Sequence, residues 1–187
     1  MNTHPRNKKA GPLTIRVAGE QELERFNQLL DELHPQQAPP HVGRELRVVI
    51  EQDGEWVAVM LWTSACQRLQ DRDEWIGWTN AQRAQRLNLL VQLRRYLLLH
   101  EAGTRPNLAS EALAAATRAL PRLWQASFRC EPLLVESFSD IAQIQRFSWR
   151  LLGPQRAALG FRRKPGKATF RMPGYSVYRD VLPKVLF

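Results

Sequence analysis

Apolar residues along the chain change their period several times, and each change marks an element. Leu13-Thr14-Ile15-Arg16-Val17 alternates apolar and polar side chains with β-branching and predicts a first strand. Leu23, Phe26, Leu29, Leu30 and Leu33 then recur at helical spacing. Glu20, Glu22 and Glu24 stand near the amino end, where the helix dipole favours acids, so a helix is expected over residues 20–33. A proline-rich turn from Pro35 to Pro40 ends it. Residues 45–51 and 55–62 flank the polar turn Gln52-Asp53-Gly54 and read as an antiparallel hairpin, whose second arm is apolar on both faces and belongs at the centre of a sheet. The word Asp71-Arg72-Asp73-Glu74-Trp75-Ile76-Gly77-Trp78 reads as an ordered loop at a strand-to-helix junction. Thr79 then caps a helix through Leu90.

Residues 93–99 form a further buried strand interrupted by Arg94 and Arg95. Asn107 caps a long helix to about Ala126, which Pro121 ends or kinks. Residues 132–138 are another strand. Ile141, Ile144, Phe147, Leu151 and Leu152 mark a helix, and residues 167–172 a last strand. The element order predicts the α/β class, with a single mixed sheet and helices on both faces, in one domain over residues 13–187 behind a flexible basic tail of residues 1–12.

Composition narrows the picture. A chain of 187 residues with 44% hydrophobic content and six tryptophans can bury roughly 70% of its unfolded surface in one core. No apolar run approaches the roughly 20 residues of a membrane span, and residues 1–11 lack an apolar signal core, so no membrane contact and a cytoplasmic location are expected. Cys66 and Cys130 stand apart without metal-ligand spacing and read as reduced core thiols.

The formal net charge is +9, and most of the 27 basic residues are arginine. Such a surface attracts polyanions, and arginine's planar fork suits phosphate better than a lysine ammonium does. Nucleic acid, DNA foremost, is the expected partner. Candidate contacts are Arg83 and Arg86 on one side of the post-tryptophan helix, Arg94 on the next strand, and the loop-tip cluster Arg162, Arg163, Lys164 and Lys167 around Pro165-Gly166. In a regular strand Arg94 and Arg95 point to opposite faces, so one is exposed and the other pairs with Glu136 or Asp73. Trp75 and Trp78 close a core in preference to stacking on bases.

No pattern commits the chain to catalysis. Glu136 and Asp140 with Asp71 or Asp73 hold the residue types for a magnesium site, but an arginine partner for Glu136 and a helix-capping role for Asp140 account for them better. His4, His34, His41 and His100 have no metal-binding spacing, so no metal is expected. Ser110 and Ser137 lack a nucleophile elbow.

Two resemblances follow. The element order resembles the GNAT acyltransferase topology, in which the end of the fourth strand and the start of the next helix hold the acyl-CoA pyrophosphate through exposed N–H groups. Here those places fall at Tyr96-Leu97-Leu98-Leu99 and Arg105-Pro106-Asn107-Leu108-Ala109-Ser110. Leu108 replaces the first glycine of the usual phosphate loop and either fills the phosphate site or turns inward, and Pro106 has no N–H, so no cofactor is expected.

The words Arg72-Asp73-Glu74-Trp75-Ile76-Gly77-Trp78, Arg95-Tyr96-Leu97-Leu98-Leu99, Asn107-Leu108-Ala109-Ser110 and Glu136-Ser137-Phe138, in that order, resemble a family known from the Druantia anti-phage systems and from proteins linked to transposable elements. The chain departs from that family at Leu93-Arg94 and at Gln145-Arg146-Phe147-Ser148. The resemblance implies a DNA-associated accessory protein of phage defence or a mobile element, on a degenerate GNAT-like scaffold, with protein subunits of a defence or transposition complex as further partners. The alternative is an acyl-CoA-dependent N-acetyltransferase.

Overall fold

The computed structural model describes residues 10–34, 42–100, 105–140, 171–172 and 175–181. Its strands are β1 (Thr14–Val17), β2 (Glu45–Gln52), β3 (Glu55–Ser64), β4 (Leu90–Leu98), β5 (Leu134–Asp140), β6 (Arg171–Met172) and β7 (Tyr175–Val181). Its helices are α1 (Leu23–Leu33), α2 (Gln70–Ile76), α3 (Asn80–Arg86) and α4 (Leu108–Phe128). The strands form one mixed sheet in the order β1-β2-β3-β4-β5-β7-β6. Every neighbouring pair is antiparallel except β4 and β5, which run parallel across α4.

Strand alternation sorts the sheet's two faces. Leu46, Val48, Ile50, Met60, Trp62 and Val91 meet Leu108, Ala112, Ala116, Leu120 and Trp124 of α4 in the larger core. Val49, Val59 and Leu61 point the other way, against Phe26 and Leu30 of α1. Both arms of the β2–β3 hairpin are therefore buried on two sides, which explains their unbroken apolar run. Asp53 and Gly54 close the hairpin with φ of 52° and 86°, the paired positive angles that a two-residue turn needs to match strand twist.

Several elements differ from the sequence expectation. The Asp71–Trp78 word is a helix, α2, and not a loop. Gly77 (φ 80°) ends it by donating to the carbonyls of Asp73 and Glu74 at 2.9 and 3.1 Å, and Trp78 N–H also donates to Asp73 at 3.0 Å. Thr79 caps α3 as expected: Gln82 N–H donates to its hydroxyl at 3.2 Å and Thr79 N–H donates to the Gln82 side chain at 2.9 Å. The helix stops at Arg86, however, because Leu90 and Val91 are drawn into the β4–β5 ladder opposite Leu134 and Val135. Asn107 takes the cap position of α4 at φ 67° without a side-chain cap bond, and α4 runs through Pro121 without ending there. Sequence reading stops at Met172, whereas β7 follows, wedged between β5 and β6. The expected helix from Ile141 to Leu152 and most of residues 167–172 lie outside the described residues.

Near the chain start, Arg16 ties three elements together. Its guanidinium donates to both oxygens of Glu22, at 2.6 and 2.7 Å, and its Nε donates to Glu51 at 3.1 Å. Together with the Gly19 N–H, this holds the Glu22 carboxyl down to about 2, from an ordinary 4.5. A depressed carboxylate stabilises the fold above pH 4.5 and loses that effect as pH falls toward 2. Thermal melts between pH 5 and 2 should fall more steeply for the native chain than for Arg16→Gln. Parallel slopes would rule out this linkage.

Candidate functional site

Beside α2 the sheet opens into a fork. The parallel ladder joins Leu90 through Leu93 to Leu134 through Ser137 and then stops, although β4 continues to Leu98 and β5 to Asp140. At the same level β4 carries a bulge: Leu61 faces Arg95 and Trp62 faces Leu93, leaving Arg94 as the extra residue. The strand is thus not regular at Arg94 and Arg95, which was the condition for dividing the two between opposite faces. Arg95 lies opposite Leu61 on the α1 face, donates to the Arg94 carbonyl at 2.8 Å, and is pushed below its ordinary range by burial and by Arg94.

Below the fork lies a buried ionic cluster. Arg72 donates through Nε to Asp73 at 2.9 Å and through Nη1 to the Cys66 carbonyl at 2.9 Å, while Glu136 lies 3.4 Å from Nη1. The side chains of Arg72 and Glu136 are 5% and 4% exposed. Arg83 holds the other oxygen of Asp73 at 3.2 Å. So Arg72, not Arg94 or Arg95, holds Glu136, and α2 supplies it because one helical turn places Arg72 over β5. Burial raises the Glu136 carboxyl above its ordinary range, a rise that Arg72 opposes and Asp73 reinforces. Burial likewise raises the Cys66 thiol. Cys66 and Cys130 are both free thiols and half-buried, beside Arg72 and Arg44 respectively, with Cys130 packed against the edge of the larger core.

Tyr96, just past the bulge, links the fork to α4 by donating its hydroxyl to the Ala109 carbonyl at 2.7 Å, and burial holds that hydroxyl well above its ordinary range. Among the described side chains, the Tyr96 hydroxyl and the Asp73 and Glu136 carboxylates are therefore engaged in structure. Among the described residues, no group of three or more His, Cys, Asp or Glu side chains is placed to hold a metal. No described helix is long and apolar enough to cross a membrane.

The start of α4 fits an acyl-CoA pyrophosphate poorly. Leu108 is 2% exposed and turns into the core, so it does not fill the phosphate place itself, and the poor fit rests on Pro106 and Glu111. Pro106 withholds one N–H, and Glu111 sets a carboxylate on the first turn. That carboxylate takes the Arg105 guanidinium at 3.1 Å, and Arg105 Nη1 is enclosed in protein without a partner among the described residues.

The basic residues singled out in the sequence scatter. Arg83 is committed to Asp73; Arg86 is exposed at the end of α3; Arg94 sits in the bulge. Arg162, Arg163, Lys164 and Lys167 lie outside the described residues. Trp78 is half-buried. Sequence reasoning passed over Arg118, Arg122 and Arg129, which the structure exposes along α4 and its carboxyl cap with no partner among the described residues. Their spacing of four and then seven was the available signal.

The family model described as Druantia protein DruA matches residues 3–149. The chain belongs to that family. No curated protein matches the chain in sequence. Two solved structures share the fold of this DruA-family chain. One is the aminoglycoside acetyltransferase AAC(6')-Ib in complex with coenzyme A and kanamycin, at 14% identity and a TM-score of 0.51, covering 91% of this chain and 95% of that one. The other is a candidate phosphinothricin N-acetyltransferase, at 16% identity and a TM-score of 0.51, covering 92% of this chain and 100% of that one. At such identities the likeness establishes a GNAT-like fold and no activity.

Proposed function

We propose that this DruA-family chain is a DNA-associated accessory protein of an anti-phage defence system or mobile element, using a GNAT-like scaffold as a binding platform. The observation that carries the reading is how its charges are spent. Glu22 and Glu51 are taken by Arg16, Asp73 and Glu136 by Arg72 and Arg83, and Glu111 by Arg105. Arg68, Arg86, Arg118, Arg122 and Arg129 remain exposed with no partner among the described residues, as do the acids Glu20, Glu24, Asp31, Glu55 and Glu131, so the excess of positive charge is carried by basic residues outside the described ones and the free arginines matter by where they cluster. On a chain of net charge +9, unpaired arginines are the groups that displace counterions from a phosphate backbone. The engaged state of Tyr96 and Glu136 and the poor fit at α4 weigh against acyl transfer at the fork.

Thermal shift and fluorescence anisotropy separate the two readings. Duplex DNA should bind the full chain at 50 mM salt and weaken steeply by 200 mM, with Arg162→Glu/Arg163→Glu reducing affinity. Acetyl-CoA should leave the melting temperature unchanged. A shift with acetyl-CoA, and no DNA binding at either salt, would overturn the proposal in favour of an acetyltransferase.

A further inference from the structure

Among the described residues, α1 and α4, which cover opposite faces of the sheet, carry opposite charge. On one face, α1 and the turn that leads into it bear Glu20, Glu22, Glu24, Asp31 and Glu32 against Arg25, and Arg25 is stacked over Trp56 at 4.3 Å. On the other, α4 bears Arg118 and Arg122, followed by Arg129 at its carboxyl cap, while its acid Glu111 is tied to Arg105 at the far end. A helix turns about 100° per residue, so Arg118, Arg122 and Gln125 fall within a sector of about 60°, and Arg118 to Arg129 spans about 16 Å. The stripe lies on the side of α4 away from its buried Ala112, Ala116, Leu120 and Leu123. Arg44 continues it, reaching over the Phe128 ring at 5.6 Å with its Nη1 2.9 Å from Cys130 Sγ.

We infer that the outer face of α4 is the surface that tracks the phosphate backbone of duplex DNA, with the acidic α1 face turned away. The inference rests on the DNA-binding reading above and assigns it a face and a class of nucleic acid. Charge complementarity chooses the occupant. Duplex DNA presents one negative charge per about 1.7 Å of axis, so three arginines over about 16 Å find several phosphates in reach. Among the described residues this face exposes no aromatic ring on which unpaired bases could stack, which favours duplex over single strand. Its exposed side chains are Ser110, Glu111, Ala114, Arg118, Arg122, Gln125 and Arg129, with the Glu111 carboxylate neutralised by Arg105, while Phe128 is half-buried against Trp124 at 4.5 Å and covered by Arg44. The shallow depression lined by Leu13, Ser110, Glu111, Ala114, Ala115 and Arg118 is too open to enclose a small molecule and leaves Arg118 free to reach outward. Contacts of this kind position a protein on DNA without reading its sequence.

The test compares the salt dependence of binding to a mixed-sequence 20-base-pair duplex for the full chain, Arg118→Gln/Arg122→Gln/Arg129→Gln, the triple lysine counterpart, and Arg25→Gln. Each phosphate contact contributes about 0.9 to the slope of log K against log salt, so the glutamine triple should lose about 2.7 of slope. Between 50 and 200 mM salt it should therefore lose about 40-fold less affinity than the native chain. The lysine triple should keep the native slope, which separates charge from damage to the helix, and Arg25→Gln should keep it as well. A glutamine triple with the native slope overturns the α4 assignment and leaves DNA binding standing. A glutamine triple that weakens only single-stranded binding overturns the duplex assignment. If the native chain binds neither form of DNA at 50 mM salt, the functional reading itself fails.

Discussion

Replacing Arg72 with methionine is expected to lower the stability of the folded chain by about 3 kcal/mol, because it leaves a buried carboxylate without its counter-charge. Removing one member of a buried ion pair costs about 3–5 kcal/mol, and the lower end applies here because Asp73 keeps Arg83 at 3.2 Å while Glu136 loses its cation. In a chain of this size the melting temperature should drop by roughly 6–12 °C. Pairing the change with Glu136→Met should recover much of the loss, since the double variant buries no unpaired charge. The pH dependence has a definite sign. A carboxyl raised above its ordinary 4.5 favours the folded state at low pH and loses that contribution as pH rises through the raised value. Arg72 opposes the rise, so its removal enlarges it. Arg72→Met should therefore regain stability relative to the native chain as pH falls from 7 toward 4.5. An unchanged melting temperature, or a double variant worse than the single one, would show that Arg72 and Glu136 are not coupled. The pair matters to the fork because it is the tie between α2 and β5 at the level where the β4–β5 ladder ends.

Pro121→Ala is expected to move stability the other way, by about 2 kcal/mol. A proline within a helix lacks the N–H for the carbonyl four residues back, here that of the buried Thr117, and costs about 3 kcal/mol against alanine. Part of that gain is returned because the unfolded chain becomes freer without proline, by about 0.4–1 kcal/mol. Urea denaturation should show a higher midpoint with an unchanged slope; a lower midpoint would mean that the proline's local shape is itself required for packing. Helix α4 tolerates Pro121 because Leu120, Leu123 and Trp124 clamp both sides of it to the sheet. Since Arg118 precedes the proline and Arg122 follows it, the substitution also tests whether a bend there sets the direction of the arginine stripe. Salt-dependent DNA binding measured on Pro121→Ala reads that out directly.

Much of the scaffold was legible in one dimension. Strands β1, β2 and β3, helix α1, the Thr79 cap and the start of α4 follow from apolar period, β-branching, turn residues and caps, all local in cause. The α/β class and GNAT-like order followed from their sequence, and the family words from Arg72 to Phe138 fall within the matched residues 3–149. The cap at Gly77 was also present in the letters, yet α2 was read as a loop because two tryptophans and alternating charges obscured its helical spacing. Strand β7 carries β-branched and aromatic residues in Tyr175-Ser176-Val177-Tyr178, but its alternation breaks at Tyr178-Arg179, which weakens the strand signal.

What composition and period determined, then, is a basic α/β domain with its elements in acyltransferase order, because those depend on contacts between near neighbours. Tertiary structure alone decided which arginines are spent and which are free. Arg72 and Arg83 find their acids on other elements, Arg94 falls into a bulge set by pairing with β3, and Leu108 turns inward under the sheet. Arg118, Arg122 and Arg129 align only once α4 has buried its opposite face. Ion pairing and burial are relations between residues distant in sequence, and no local pattern carries them.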